Sequence, residues 1–232
     1  MLYLGRQSDC SGNDCSGIYL DNEKIARAEV ARDLGVNIDN QLKFDVHIRA
    51  IVSRAHQRAN LILKCFRSKD ISTIVRAFTV YVRPILEYVS VIWSPYLTKD
   101  IKLIEAVQKR FTKRLPNLNR VTYEERLKIL GLQSLELRRL QNDLIIVYKI
   151  LFDKMDVEPN FLIASRNSIT RGHSYKPFLP YCRCDVRKHF FNNRIVQPWN
   201  ELMLTDDNLR SLSCFKTFIR NADLSKYLRV FF

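Results

Sequence analysis

The residues from Asp70 to Leu115 leave this chain little choice of fold: DISTIVRAFTVYVRPILEYVSVIWSPYLTKDIKLIEAVQKRFTKRL. The first half is nearly all apolar and aromatic and has to be buried. The second half sets Lys102, Lys109, Arg110, Lys113 and Arg114 around an apolar stripe, so one side packs and the other faces something acidic. That pattern is a helical hairpin, a core helix followed by an amphipathic basic one. Asp70 can cap the first helix, whose inward side runs from Ile71 through Phe78 and Leu86 to Trp93. Pro84 removes an amide donor in mid-pattern, which predicts a kink or break near Val80–Pro84. Ser94-Pro95 ends this helix. Thr98 can cap the basic one, with Ile101, Ile104, Val107, Phe111 and Leu115 inward, and Pro116 stops it.

Around this stretch the chain divides into four parts. Residues 1–17, with DCSG twice, read as a loose lead-in. Residues 18–40 hold short strands: a hairpin about Asp21-Asn22, then LGVNI at Leu34–Ile38. So few short strands make a marginal sheet unless something covers them. Residues 41–157 are helical. Phe44 to Phe66 keeps helical spacing, Thr122 and Glu125 form a capping box, Gly131 is a natural stop, and Ser134 starts a heptad-like helix. Residues 158–232 are a basic, mainly helical region. There Val186–Met203 is interrupted by Pro198, and Ser213 caps a last helix. The expected class is mainly α, with short N-terminal strands.

A formal charge of +14 speaks about partners rather than fold, and makes polyanions the first expectation. No window holds the run of about 18 apolar residues that a spanning helix needs, and no secretory leader is visible. Six cysteines then read as reduced thiols. An intracellular protein, nuclear or cytoplasmic and without a membrane partner, is expected.

Two surfaces are candidates for a polyanion. Lys102, Lys109 and Lys113 recur at seven and four residues and share a helix face with Arg110 and Arg114 beside it, which suits a duplex backbone; an ordinary solvated face has the same pattern. Between Ser165 and Arg194, the cations Arg166, Arg171, Lys176, Arg183, Arg187, Lys188 and Arg194 alternate with His173, Tyr175, Phe178, Tyr181, His189, Phe190 and Phe191. Cations beside aromatics suit single strands, whereas aromatics turned inward would leave only a basic loop. Cys182, Cys184 and His189 come nearest to a metal set, but a single residue separates the cysteines, where zinc sites usually have two to four. Core or surface thiols are the better reading. Asp206-Asp207 suits the turn at the start of a helix better than a catalytic pair, since no further carboxylate accompanies it on a strand. His47 and His56 read as surface residues, Trp93 and Trp199 as core anchors. There is no nucleophile motif or phosphate loop.

Long segments resemble reverse transcriptases of non-LTR (LINE-type) retrotransposons. RDLGVNIDNQLKFDVHI resembles the end of their palm, with Leu34-Gly35 at the place of the primer-grip turn. LEYVSVIWSPYLTKDIKLIEAVQKRFTKRLP resembles their thumb, and TYEERLKILGLQSLELRRLQNDLIIVYKI resembles their post-thumb region. TRGHSYKPFLP and DVRKHFFNNRIVQPWNELM resemble their closing region. The resemblance covers roughly residues 18–220. It implies a thumb that holds RNA or an RNA–DNA duplex beside a palm and fingers. The catalytic Asp-Asp turn that holds Mg²⁺ in such RNA-directed DNA polymerases has no counterpart here. The expectation is therefore a nucleic-acid-binding fragment, with no cofactor and no polymerase activity of its own. The alternatives are a helical module for protein partners, or a decayed copy without function.

Overall fold

The computed structural model describes residues 2, 19–24, 28–66, 70–152, 155 and 175–230. Of these, 61% are helical and 7% lie in strands, so the mainly helical class with antiparallel hairpins ahead of the helices is what forms. Strand β1 (Tyr19–Leu20) pairs with β2 (Glu23–Lys24) across Asp21 and Asn22, both at positive φ. Two such residues are what a two-residue hairpin turn requires. Strand β3 (Val30–Asp33) pairs with β4 (Val36–Asp39), Ala31 opposite Ile38. Leu34 and Gly35 make its turn at φ 44 and 86. The LGVNI strand is thus present. Its partner VARD carries no strand signal and forms because β4 needs its backbone groups paired.

This second hairpin has found cover. Val36 is buried in the core of the helices, Ile38 packs at its edge, and the Tyr88 hydroxyl donates to the Leu34 carbonyl at 3.2 Å. The Asp39 carboxylate then accepts from the backbone N–H groups of Gln41, Lys43 and Phe44. That collects the turn after β4 and aims the next element, α1 (Asp45–Cys65), whose apolar side is Ile48, Ile51, Val52, Ala55, Ala59 and Ile62.

Asp70 caps α2 (Ile71–Tyr81) by accepting from the backbone N–H groups of Ser72 and Thr73. The break at Pro84 is found: α2 stops at Tyr81, Val82 is the joint, and α3 (Arg83–Glu87) begins with the proline in its first turn. The expected single helix breaks once more. Val89 sits at φ 51, costly for a β-branched residue, before α4 (Ser90–Trp93). The fully buried Trp93 offsets this strain, and its indole N–H donates to the freed Tyr88 carbonyl at 2.7 Å. Helix α5 (Thr98–Lys113) follows. Thr98 is its first residue rather than its cap, and Leu97 precedes it without a side-chain cap. Asp100 in the first turn meets the positive end of the helix dipole instead.

The Thr122–Glu125 capping box opens α6 (Tyr123–Leu130), and Gly131 closes it at φ 61. Ser134 caps α7 (Leu135–Leu151) by accepting from the Leu137 N–H. Where one interrupted helix is expected beyond Val186, three short ones form: α8 (Asp185–His189), α9 (Phe191–Arg194) and α10 (Val196–Asn200). The interruptions fall at Phe190 and Ile195, and Pro198 sits within the first turn of α10, where no amide donor is needed. Thr205 caps α11 (Asp206–Leu209), so Asp206 and Asp207 are first-turn residues. Ser211, not Ser213, caps α12 (Leu212–Asn221) by accepting from the Cys214 N–H.

Two apolar cores result. The first joins β4, α1 to α5 and Leu135. The second joins Leu144, Val147 and Tyr148 of α7 to Phe191, Ile195, Trp199, Phe215 and Ile219. Both cores therefore draw on α7, and the expected boundary after residue 157 lies outside the described residues. Trp93 and Trp199 anchor one core each. Among the described residues, no helix is long and apolar enough to cross a membrane, and Cys65, Cys182, Cys184 and Cys214 are free thiols.

His47 corrects its assignment to the surface: it is buried, edge-on to the Trp93 ring with centroids 5.2 Å apart. Its Nδ1 accepts from the Asn37 N–H at 3.3 Å, which ties β4 to α1. Burial, helped by the charge of Arg54, pushes its pKa from 6.5 down to about 4. The unfolded chain thus takes up a proton that the folded chain refuses, so His47 supplies stability above about pH 6.5 that is lost as pH falls toward 4. Urea midpoints measured at about pH 7.5 and about pH 5 should fall less for His47→Leu than for the native chain. Equal falls would contradict this role.

Candidate nucleic-acid interface

Helix α5 buries Ile101, Ile104, Val107 and Phe111 and thereby turns Lys102, Lys109, Arg110, Lys113 and Arg114 outward. The structure splits this predicted set. Arg110, Lys113 and Arg114 line a groove of about 530 Å³ between α5 and α1. Lys109 leans the other way, its ammonium 5.9 Å from the centroid of the Tyr123 ring on α6. Lys102 is exposed about two turns nearer the start of the helix.

The opposite wall of the groove is α1, through Ser53, His56, Gln57 and Asn60. These sit at i, i+3, i+4 and i+7, a polar row on one face. Arg114 donates to the Asn60 side-chain oxygen at 2.6 Å and fixes one end of the wall. Burial, with the Arg110 charge second, lowers the pKa of His56, so its imidazole is neutral at pH 7. The described residues lining the groove hold three cations and no carboxylate. A positively charged trough with hydrogen-bonding walls attracts phosphates and can position them. Sequence reasoning found the α5 side and missed α1, although the polar row was there to be read.

The second predicted surface is placed in part, since Arg171 lies outside the described residues, as do Arg166 and His173. Residues 175–184 form no helix. They are tied down by the Trp199 indole N–H, which donates to the Tyr175 carbonyl at 2.8 Å, and by the Asn200 amide, which donates to the Pro177 carbonyl. The aromatics divide: Phe178 is 57% and Tyr181 88% exposed, whereas Phe191 is buried in the second core and Tyr175 lies against Phe152 with ring centroids 4.9 Å apart. Arg183, Arg187 and Lys188 are exposed beside the first pair in sequence, and Lys176 is half-buried.

Arg194 does not belong with these cations. Its guanidinium donates to both oxygens of Asp143 on α7, at 2.9 and 3.2 Å, and to the Val91 carbonyl at 2.7 Å. Arg194 is 17% and Asp143 4% exposed at the side chain. The pair fastens α9 to α7. Burial raises the Asp143 pKa, and the Arg194 charge and hydrogen bonds oppose that rise. The sequence hid this role because the partners lie far apart along the chain.

Cys182, Cys184 and His189 do not assemble into a metal set. The Asn193 amide lies 3.1 Å from the Cys182 sulfur, Cys184 is exposed, and the His189 ring stacks on Tyr96 with centroids 4.4 Å apart. Among the described residues, no cluster of three or more His, Cys, Asp or Glu side chains is arranged to hold a metal ion. Leu34 and Gly35 do form a tight turn at the molecular surface, Leu34 exposed, and a Cβ added at Gly35 would come into van der Waals contact with Tyr88.

In comparison with known proteins, the chain is 28% identical over 131 residues to an uncharacterized protein of Caenorhabditis elegans. That match spans 55% of this chain and 66% of the worm protein, a little under two thirds of its length. No protein-family profile and no solved structure matches the chain.

The two kinds of arginine separate in a mutational test. Arg194→Ala leaves the Asp143 charge buried and unpaired, and should cost about 3–5 kcal/mol of folding stability in urea denaturation. Arg187→Ala, at an exposed site, should cost no more than about 0.5 kcal/mol. A mild Arg194→Ala would return that residue to the surface set.

Proposed function

We propose that this chain binds nucleic acid, gripping a duplex through phosphates in the α1–α5 groove and a single strand along residues 175–188. In this reading it is the thumb and following region of a non-LTR-type reverse transcriptase, and the duplex is RNA or RNA–DNA. The observation that carries the proposal is the groove lined by Arg110, Lys113 and Arg114 with no carboxylate among its described residues. The resemblance of roughly residues 18–220 to that polymerase class points the same way. The exposed Phe178 and Tyr181 beside Arg183 and Arg187 give the single-strand surface its stacking faces.

No polymerisation is assigned to the chain itself. Two-metal transfer needs converging carboxylates, and Asp206 and Asp207 are consecutive first-turn residues of a four-residue helix. Mg²⁺ chemistry belongs to the palm of the parent enzyme in this reading. Primer extension by the purified chain should therefore be undetectable with Mg²⁺ or Mn²⁺; extension abolished by Asp206→Asn would contradict this.

A protein-binding role is the second reading, and one feature favours it. Leu34 and Tyr88 lie together and exposed at the tip of the β3–β4 hairpin, an apolar spot that a palm domain or another protein can cover.

A salt titration separates the two. Phosphate contacts release counterions, so duplex affinity should fall steeply and linearly on a logarithmic salt scale. Each of Arg110→Glu and Lys113→Glu should reduce that slope by about one unit while leaving single-strand affinity nearly unchanged. Arg183→Glu with Arg187→Glu should do the reverse. A flat salt response, or equal losses on both ligands, would contradict the two-surface proposal.

A further inference from the structure

Among the described residues lining the α1–α5 groove, His56 is the one whose charge can change near neutral pH. It lies half-buried on the α1 wall. The charges that face it come from α5: Arg110, Lys113 and Arg114, all positive. The other polar residues of the α1 wall, Ser53, Gln57 and Asn60, carry no charge. Strand β4 and helices α2 and α3, which also pack against α1, add no described residue to the lining. On α1 itself the nearest charges, Arg54 and Arg58, are each two residues away and therefore leave the helix on other sides. No carboxylate among the described lining residues offsets the three cations.

An imidazole in such a place responds to what enters the groove. In the free chain, partial burial disfavours its charged form and the Arg110 guanidinium repels it, which together hold its pKa below 6.5. A phosphate beside these cations reverses the balance. Its negative charge offsets that of Arg110, and its oxygens accept from a ring N–H, so both effects favour the imidazolium. Asn60, one turn further along α1, is already tied to Arg114 of α5 at 2.6 Å, so the wall that carries His56 is held in register with the cations opposite.

We propose that His56 is a conditional fourth cation of the α1–α5 groove, neutral in the free chain, which takes up a proton and donates to a backbone phosphate when a duplex binds. The inference rests on the reading of the groove as a duplex site and adds to it a phosphate contact from α1 and a dependence on pH. The proton comes from solvent, and no covalent bond other than its own is made. Since His56 then holds a proton more tightly in the complex than in the free chain, duplex affinity rises as pH falls through the bound pKa and levels off below the free one.

The test is titration calorimetry of the full chain with a short RNA–DNA duplex at about pH 6.5, in two buffers of different ionisation enthalpy, where the difference in heat counts the protons taken up. The native chain should take up a fraction of a proton. Its affinity should rise between about pH 8 and about pH 6, by no more than about tenfold per pH unit for a single group. Both effects should vanish in His56→Gln and persist in His189→Gln, whose ring is stacked on Tyr96 and lines no part of the groove. Histidine ring resonances give a second measurement on the native chain: His56 should titrate below 6.5 when free and higher with the duplex bound. Duplex binding without proton uptake, uptake that survives His56→Gln, or a His56 midpoint that the duplex leaves unmoved would overturn this proposal and leave the reading of the groove standing. Absence of duplex binding at every pH would overturn both.

Discussion

The arrangement of the whole molecule depends on how the N-terminus of α7 is held. Glu105, fully buried on α5, accepts the Leu135 N–H at 2.9 and 3.2 Å through its two oxygens. A carboxylate at a helix N-terminus meets both the unpaired amides and the positive end of the dipole. The Tyr123 hydroxyl donates to the same carboxylate, and the Gln108 amide donates to that hydroxyl at 3.0 Å and to the Gln133 carbonyl at 3.0 Å. Burial raises the Glu105 pKa, and the Tyr123 hydroxyl leads the interactions that oppose it. This knot joins α5, α6 and α7, and α7 then carries the second core. Arg138 to Glu87 and Arg194 to Asp143 fix α7 on its remaining sides. The helix that presents the cationic face is therefore the one that also fixes the position of the second core.

Local chemistry was legible in the sequence wherever a single turn of chain decides the outcome. Asp70, the Thr122–Glu125 box, Gly131 and Ser134 each act within three or four residues of themselves, and each is found in its role. Pro84 breaks its helix for the same local reason. What escaped reading depends on distant partners. Val89 takes a left-handed conformation because Trp93 and the first core need the turn there. Strand β3 exists because β4 packs on α1. His47 is drawn inward by Trp93 and Asn37, and Arg194 by Asp143. A charge at helical spacing looks the same whether it ends in solvent or in a buried carboxylate.

The cationic surfaces differ in how firmly they are built. The α1–α5 groove stands on two long helices packed through Ile48, Ala55, Ala59, Ile104 and Phe111, so its cations are carried by rigid walls. The 175–188 surface hangs on a few hydrogen bonds to α10 and keeps Phe178 and Tyr181 in solvent. A regular duplex is better met by a rigid row, and a flexible single strand by an extended segment with free ring faces.

The groove is the central claim, and lysine reactivity tests it most directly. Mild acetylation of the chain, read by peptide mass, should show Lys113 protected when an RNA–DNA duplex is bound, while the exposed Lys216 on α12 reacts as before. Protection of Lys216 to the same degree as Lys113, or of neither, would contradict a specific duplex groove on α5.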